Sequence, residues 1–165
     1  GFLRDGVARQ CAAFRDGFER AFAYAHVAAL APCELRGALV GAGADDDALW
    51  SADALLDNIR CEHGYTSSSR AIRYFVHVVS SLDAAQRRQF LQFVSGSPRL
   101  PVGGFRTLTL TVVKKDAYPP LSPDHYLPSA STCFNNIKLP DYSSLDVARE
   151  RLLFAIAHAV GFSFN

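Results

Sequence analysis

The chain has 165 residues, of which 49% are hydrophobic and 20% charged, so it can bury one sizeable core or two small ones. Its 17 basic and 16 acidic residues give a formal net charge of +1, and the basic residues are scattered, which predicts neither a nucleic acid nor a membrane surface as partner. No apolar run approaches the ~20 residues of a membrane span, and the first residues lack the pattern of a signal peptide. Partner choice is therefore expected to depend on shape.

The four cysteines are far apart and form no CxxC pair, which argues against a disulfide framework or a zinc finger. We expect a cytoplasmic or nuclear protein with no metal and no cofactor. Three of these cysteines lie in or beside helical apolar patterns and are predicted to be buried or partly buried: Cys11, Cys33 and Cys61. The chain has no methionine, even at position 1, so we expect it to be a piece of a longer polypeptide.

The first part of the chain is predicted to be helical. Apolar residues recur at three- and four-residue steps and predict an amphipathic helix from about residue 6 to residue 25, through Val7, Cys11, Phe14, Phe18 and Phe22. A second helix is expected to begin at Pro32 and to end at Gly41. The small and acidic residues from Gly41 to Asp47 have no periodicity and predict a linker or hinge.

Local capping signals predict three helices in the next part. Ser51 is expected to cap the first, a serine between residues 67 and 69 the second, and Asp83 with Gln86 the third through a capping box. The third helix is predicted to end at Gly96.

Strand character begins later, so the fold class is predicted to be α/β (α+β), with a small sheet packed by helices. Residues 107–113 alternate β-branched residues with leucines, and the apolar stretch 134–139 predicts a second strand with Cys133 at its start. The prolines of residues 114–126 predict a loop between the two strands. A last helix is predicted from Ser143, with Asp146 completing a capping box, to Gly161.

Cys133 is the candidate for chemistry, although a lone cysteine beside an apolar segment is most often a small buried side chain. The preceding residues 129–132 are small and polar, which favours an accessible thiol suited to thiol–thioester exchange. A cysteine protease would need an orienting histidine, and His125 lies in the proline-containing loop, where sequence does not give its geometry. His158, on the last helix, is expected to be a surface or capping residue. A non-catalytic interaction module stays open, and its activity would survive alkylation of Cys133.

Two segments carry a family resemblance. Residues 127–142 read LPSASTCFNNIKLPDY, and residues 90–105 read FLQFVSGSPRLPVGGF. The first resembles the active-site signature of HECT ubiquitin ligases, and the second is similar to another block of the same family. His63-Gly64-Tyr65-Thr66 and Gly161-Phe162 also fall in register. The resemblance implies a HECT C-terminal lobe over residues 48–165, preceded over residues 1–47 by a helical remnant of the N-terminal lobe and the hinge.

The resemblance also implies a reaction and its residues. Cys133 would accept ubiquitin from a conjugating enzyme as a thioester and pass it to a substrate lysine. Thr132, Phe134 and Asn135 would shape the site and hold the ubiquitin tail, and Phe162 would act in transfer. From the residues alone, Phe134 could equally be a core strand residue. Many members carry a histidine two residues before the cysteine, where this chain has Ser131, so a general-base role for that histidine is not expected to be universal.

The remaining expectations concern turns and partners. Arg99, Gly103 and Gly104 are expected to be structural, with the glycines allowing positive φ in a tight turn. The expected partners are ubiquitin, a conjugating enzyme and a protein substrate. Since the family docks the conjugating enzyme on a part of the N-terminal lobe outside this chain, we expect the chain alone to be impaired. The apolar helix face of its first part is expected to drive self-association or to fold back on the chain. The alternative function is a non-catalytic ubiquitin-binding or protein-interaction module.

Overall fold

Three helices form the first of two units of the chain. The computed structural model describes residues 2–40 and 47–159, and the chain divides into one unit over Gly1–Leu39 and another over Val40–Asn165. The helices of the first unit are α1 (Phe2–Ala21), α2 (Tyr24–Ala28) and α3 (Pro32–Val40). The predicted end of the first helix near residue 25 is wrong, because Ala23 has extended backbone, with φ −61° and ψ 116°, and separates α1 from α2.

Aromatic side chains line one face of α1. The Phe14 and Phe18 rings lie 6.1 Å apart, and the Phe18 and Phe22 rings lie 5.6 Å apart. Phe14 is 75% exposed and Phe22 is 63% exposed, so this face is largely uncovered within the unit. The predicted linker lies in residues 41–46, outside the described residues, apart from Asp47. The predicted domain boundary after residue 47 stays a prediction.

The second unit contains a four-stranded mixed sheet with helices. After a 3-10 turn at Asp47–Trp50, its elements are α4 (Ala52–Asn58), β1 (Arg60–Glu62), α5 (Arg70–Ser80), α6 (Ala84–Ser95), α7 (Phe105–Leu108), β2 (Thr111–Lys115), a 3-10 turn at Pro123–His125, β3 (Ser129–Ser131), β4 (Asn136–Pro140) and α8 (Leu145–Ala159). The strand order is β1-β2-β4-β3, and only β3 runs antiparallel to its neighbour. This confirms the predicted combination of helices with a small sheet.

The core of this unit lies between one face of the sheet and the helices. Val112 of β2 is paired with Ile137 of β4, and both side chains are fully buried. The Trp50 ring packs edge-on against Phe105 at 5.0 Å and against Phe90 at 6.0 Å. These aromatic contacts hold the 3-10 turn at the start of the unit against α6 and α7.

Local capping predictions were confirmed at α4 and α6. Ser51 Oγ accepts a hydrogen bond from the Ala54 N–H at 3.3 Å, and Asp83 with Gln86 forms the complete capping box. Gly96 ends α6 with a φ of +77°. The predicted cap of α8 by Ser143 and Asp146 was wrong. Ser144 caps this helix instead, because its Oγ accepts a hydrogen bond from the Val147 N–H.

The two predicted strands begin later than expected. Residues 105–108 form α7 rather than strand, because Gly104 and Thr109, both with positive φ, bend the chain on either side. Leu108 and Leu110 alternate with threonines in the sequence like residues of a strand, but both are leucines because both side chains are buried in the core. Phe134 and Asn135 belong to a turn, so β4 begins at Asn136. Within the described residues, no helix is long and apolar enough to span a membrane.

Candidate active site

Cys133 lies in the short turn that connects β3 to β4, and its side chain is exposed. The Phe134 N–H donates to the Ser131 carbonyl at 3.2 Å, which closes the turn. Phe134 is 78% exposed, so the reading of this residue as part of the core is wrong. A thiol and a large apolar ring therefore stand side by side at the surface, in reach of a partner protein.

Asn135 attaches this turn to the neighbouring strand. Its side-chain Nδ2 donates to the Leu108 carbonyl at 2.8 Å, and its own carbonyl accepts from the Thr111 N–H at 3.0 Å. Its φ is +47°, a conformation that asparagine tolerates better than most residues. The two hydrogen bonds hold Asn135 to the end of α7 and to the start of β2, which fixes the base of the cysteine turn.

The end of α6 lies against Thr132, the residue before Cys133 in the turn. A methyl group placed on Gly96 would lie 3.8 Å from Thr132 Cβ and 3.9 Å from Thr132 Cγ2. Helix α6 also contacts β3, the strand that leads into the turn. The structure thus brings together the two segments that carry the family resemblance, because residues 90–105 begin within α6 and residues 127–142 include β3 and β4.

The two glycines of the second segment form the entry to α7. Gly103 and Gly104 have φ values of +93° and +65°, and a side chain at Gly103 would collide with Thr107 Oγ1. At Gly104, an added Cβ would lie 3.2 Å from Leu49 Cδ2. This tight turn places the Phe105 ring against Trp50. It also positions Leu108, whose carbonyl accepts the hydrogen bond from Asn135. The Arg99 N–H donates to Ser97 Oγ at 3.4 Å, and a structural role for the Arg99 side chain stays a prediction.

The loop before β3 is attached to α8 and to the sheet. Asp124 accepts two hydrogen bonds from Ser143, from the hydroxyl at 2.6 Å and from the N–H at 2.9 Å, and these bonds lower the pKa of the Asp124 carboxyl. Lys115 Nζ donates to the Leu127 carbonyl at 2.8 Å. Burial, with a smaller effect of Lys138, lowers the pKa of Lys115. Sequence reasoning missed these supports, because no local motif marks a contact between residues so far apart in the chain.

The two histidines considered from the sequence bond to other groups. His125 Nδ1 lies 3.0 Å from Ser122 Oγ, within its own loop. His158 Nδ1 lies 2.8 Å from the Phe154 carbonyl oxygen, and its ring stacks on Phe154 at 3.9 Å. Both are thus engaged in local contacts.

The other cysteines differ from the prediction in two cases. Cys11 and Cys33 are exposed, because none of the side chains whose burial is described in the first unit is fully buried. Cys61, on β1, is partly buried as expected, and burial raises the pKa of its thiol. Among residues 2–40 and 47–159, no cluster of His, Cys, Asp or Glu could hold a metal ion. Phe162 lies outside the described residues.

Comparison with known proteins identifies the family. The model of the HECT-domain (ubiquitin-transferase) family matches residues 2–165. The chain belongs to the HECT-domain family. This confirms the resemblance seen in the two segments around Gly96 and Cys133.

Relatives of the chain carry names consistent with this HECT assignment. The chain is 49% identical over 155 residues to the zebrafish (Danio rerio) protein named E3 ubiquitin-protein ligase TRIP12, which covers 93% of this chain and 8% of that protein. It is 43% identical over 161 residues to the Saccharomyces cerevisiae ubiquitin fusion degradation protein 4, covering 96% of this chain and 11% of that protein. A third relative is the Arabidopsis thaliana protein named E3 ubiquitin-protein ligase UPL4, 42% identical over 159 residues, covering 95% of this chain and 10% of that protein. The chain therefore spans about a tenth of the length of these relatives.

Proposed function

We propose that this HECT chain carries ubiquitin as a thioester on Cys133 and transfers it to a lysine of a substrate protein. In the first step, the Cys133 thiol loses its proton to solvent, and its Sγ attacks the carbonyl carbon of the thioester that joins ubiquitin to a conjugating enzyme. A new S–C bond forms, and the thiolate of the conjugating enzyme leaves. In the second step, a lysine amine attacks the same carbon, an amide forms, the Cys133 thiolate leaves and the amine loses a proton to solvent.

The observation that carries this proposal is the exposed thiol of Cys133 on a turn held at both sides. Thioester exchange between two proteins needs a nucleophile that both partners can reach, and Cys133 meets this requirement. Asn135 and the end of α6 limit the movement of the turn, which favours a reproducible position of the thiol. Thr132 and Phe134 flank the thiol, and we assign them contacts with the ubiquitin tail.

The proposal also includes where the tail of ubiquitin lies. In the described sheet, β3 has β4 as its one neighbouring strand, so its other edge has no strand partner. An extended tail added along that edge would receive main-chain hydrogen bonds and would run directly toward Cys133. Such pairing makes few demands on side chains, which agrees with the small residues of Ser129–Ser131.

The test is transfer of ubiquitin from a charged conjugating enzyme, followed on gels with and without reductant. We expect a reductant-sensitive adduct on the wild-type chain and none on Cys133→Ala, with unchanged circular dichroism, because the substitution removes a small exposed group. Cys11→Ala and Cys33→Ala are matched controls, since both remove exposed thiols, and both should retain the adduct. An adduct that persists in Cys133→Ala, or that maps to Cys11 or Cys33, would overturn the proposal.

Partners and location follow from the same proposal. Ubiquitin, a conjugating enzyme and a protein substrate are the partners that the reaction requires, and a cytoplasmic or nuclear location stays a prediction. Because the chain covers a small share of its relatives, slow loading at low enzyme concentration would be consistent with the proposal.

A further inference from the structure

Ser97 stands in an exposed loop immediately after α6 and is followed by Pro98. The chain leaves the helix through Gly96, and residues 96–99 form bends outside any helix or strand. Ser97 is exposed, and its Oγ accepts a hydrogen bond from the Arg99 N–H at 3.4 Å. A serine hydroxyl before proline, in an irregular surface loop, is the chemical feature that proline-directed protein kinases recognise.

This loop adjoins the cysteine turn. Gly96, one residue before Ser97, lies against the Thr132 side chain, one residue before Cys133. Each Cα step along the chain is ~3.8 Å, so Ser97 and Cys133 lie within roughly 15 Å of each other. A charge placed on Ser97 would therefore change the electrostatic potential at the Cys133 thiol and would need no direct contact with it.

We propose that Ser97 is a phosphorylation site and that its phosphate lowers the reactivity of Cys133. Ser97 Oγ attacks the γ-phosphorus of ATP, an O–P bond forms, the bond to the β-phosphate oxygen breaks, ADP leaves and the hydroxyl proton passes to the kinase. An effect of this phosphate on ubiquitin transfer rests on the proposed function, since that transfer would use the Cys133 thiol. The modification itself does not depend on it.

The charge of the phosphate is expected to slow the reaction of Cys133 at low salt and not at high salt. A phosphoserine carries a charge of about −1.5 to −2, which disfavours formation of a nearby thiolate. At low ionic strength of about 0.01 M, where the Debye length is about 30 Å, we expect roughly a two- to fourfold slower reaction of Cys133. At about 1 M salt, where the Debye length is about 3 Å, the difference should vanish. A steric effect of the phosphate would not depend on salt in this way.

Ser122 provides a matched control at the other end of the sheet. It also precedes a proline and is exposed, and its loop is joined by Asp124 to Ser143, beyond the C-terminal end of β4. Cys133 precedes the N-terminal end of β4, so a strand of five residues separates the two positions. Phosphate on Ser122 adds the same charge to the molecule from a greater distance, so it should slow Cys133 less than phosphate on Ser97 does.

The experiment first treats the folded chain with a purified cyclin-dependent kinase and ATP and maps phosphate by mass spectrometry. The samples are wild type, Ser97→Ala, Ser122→Ala and a free peptide covering residues 91–103. We expect phosphate on Ser97 in wild type, in Ser122→Ala and in the peptide. A peptide that the kinase does not modify, or a folded chain that stays unmodified at Ser97, would overturn the proposal.

The second measurement follows alkylation of Cys133 by iodoacetamide at low and at high salt, and it uses no ubiquitin. Chain phosphorylated on Ser97 should react two- to fourfold more slowly at low salt, whereas Ser97→Ala treated with the same kinase should stay closer to the rate of the untreated chain. Equal rates at low salt would refute the inhibitory effect. If alkylation slows but unmodified chain forms no ubiquitin thioester, the proposed function fails and the phosphorylation site stands.

Discussion

Asn135 combines a positive φ with a hydrogen bond that its side chain donates to the end of α7. The bond to the Leu108 carbonyl joins residues 27 apart in sequence. Glycine would accept the backbone conformation but could not donate, and alanine would neither donate nor accept a φ of +47° without strain. The position of the cysteine turn therefore depends on the Asn135 side chain, through its bond to the Leu108 carbonyl.

Two substitutions at Asn135 separate these contributions. We expect Asn135→Gly to lower the free energy of unfolding by about 1 kcal/mol through the lost hydrogen bond. Asn135→Ala should lower it by about 2 kcal/mol, because αL strain is added. Urea unfolding measures both, with Phe134→Ala as the control, which should stay within about 0.5 kcal/mol of wild type because this ring is exposed. Equal stability of the glycine and alanine variants would show that the backbone strain at this position is negligible.

Asp124 connects the loop that precedes β3 to Ser143, in the segment before α8. Asp124 accepts from both the hydroxyl and the N–H of Ser143, and these bonds hold the pKa of Asp124 below its ordinary value of about 3.9. A carboxyl whose pKa is lower in the folded state adds stability above its unfolded pKa. That stability is lost as the pH falls through the folded pKa.

Asp124→Asn should therefore destabilise the chain in a pH-dependent way. We expect a loss of about 1 kcal/mol near neutral pH, because an amide keeps one acceptor oxygen for Ser143 and replaces the other with an NH2 group, which cannot accept a hydrogen bond. The difference from wild type should shrink between about pH 5 and about pH 2, as Asp124 of the wild type becomes protonated. Asp116→Asn, in the same loop and exposed, is the control and should change stability little at any pH. A difference that is constant with pH would mean that the carboxylate charge is not what Ser143 recognises.

The sequence predicted the elements whose signals are local. Ser51 and the Asp83–Gln86 box could be read because each cap is complete within four residues. Strands β1 and β3 were missed because each has only three residues and is defined by its pairing, such as Arg60 with Thr111, rather than by its own pattern.

The candidate site also contains a part that the sequence predicted and a part that it did not. Cys133 and its neighbours were found through one contiguous motif, whereas the anchoring of that motif was not. The Leu108 carbonyl, the Gly96 backbone and the Asp124 carboxylate come from other segments, and only the folded chain brings each of them to its partner. The motif thus predicted a candidate nucleophile, Cys133, but not the groups from other segments that hold its turn.

Phe162 is the residue expected to act in the transfer of ubiquitin to a substrate lysine. The residue lies outside the described residues, and its role is implied by the family resemblance alone. We predict that Phe162→Ala, in the full HECT context, still forms the thioester on Cys133 but discharges it more slowly onto lysine, by tenfold or more, since a positioning group can contribute several kcal/mol to the barrier. Single-turnover assays should follow loading and discharge separately, with Phe154→Ala as an exposed aromatic control. Equal slowing of both steps, or unchanged discharge, would assign Phe162 a packing role only.

The first unit presents an apolar groove of about 770 Å³ that is lined by Ala8, Cys11, Phe14, Phe18, Val27 and Leu35, among others. Exposure of such a surface to water is unfavourable, so we predict that the isolated chain self-associates through it at high concentration. Phe14→Glu should shift the chain toward the monomer, because Phe14 is 75% exposed and lines the groove, and a carboxylate there would have to lose its hydration in any complex.

Light scattering coupled to size exclusion, across a concentration series, measures the effect of Phe14→Glu. Gln10→Glu adds the same charge on an exposed position of α1 that does not line the groove, so this variant should associate like wild type. If the wild-type mass is that of a monomer at every concentration, the groove is not a contact between copies. If both variants dissociate equally, net charge rather than the apolar face controls association.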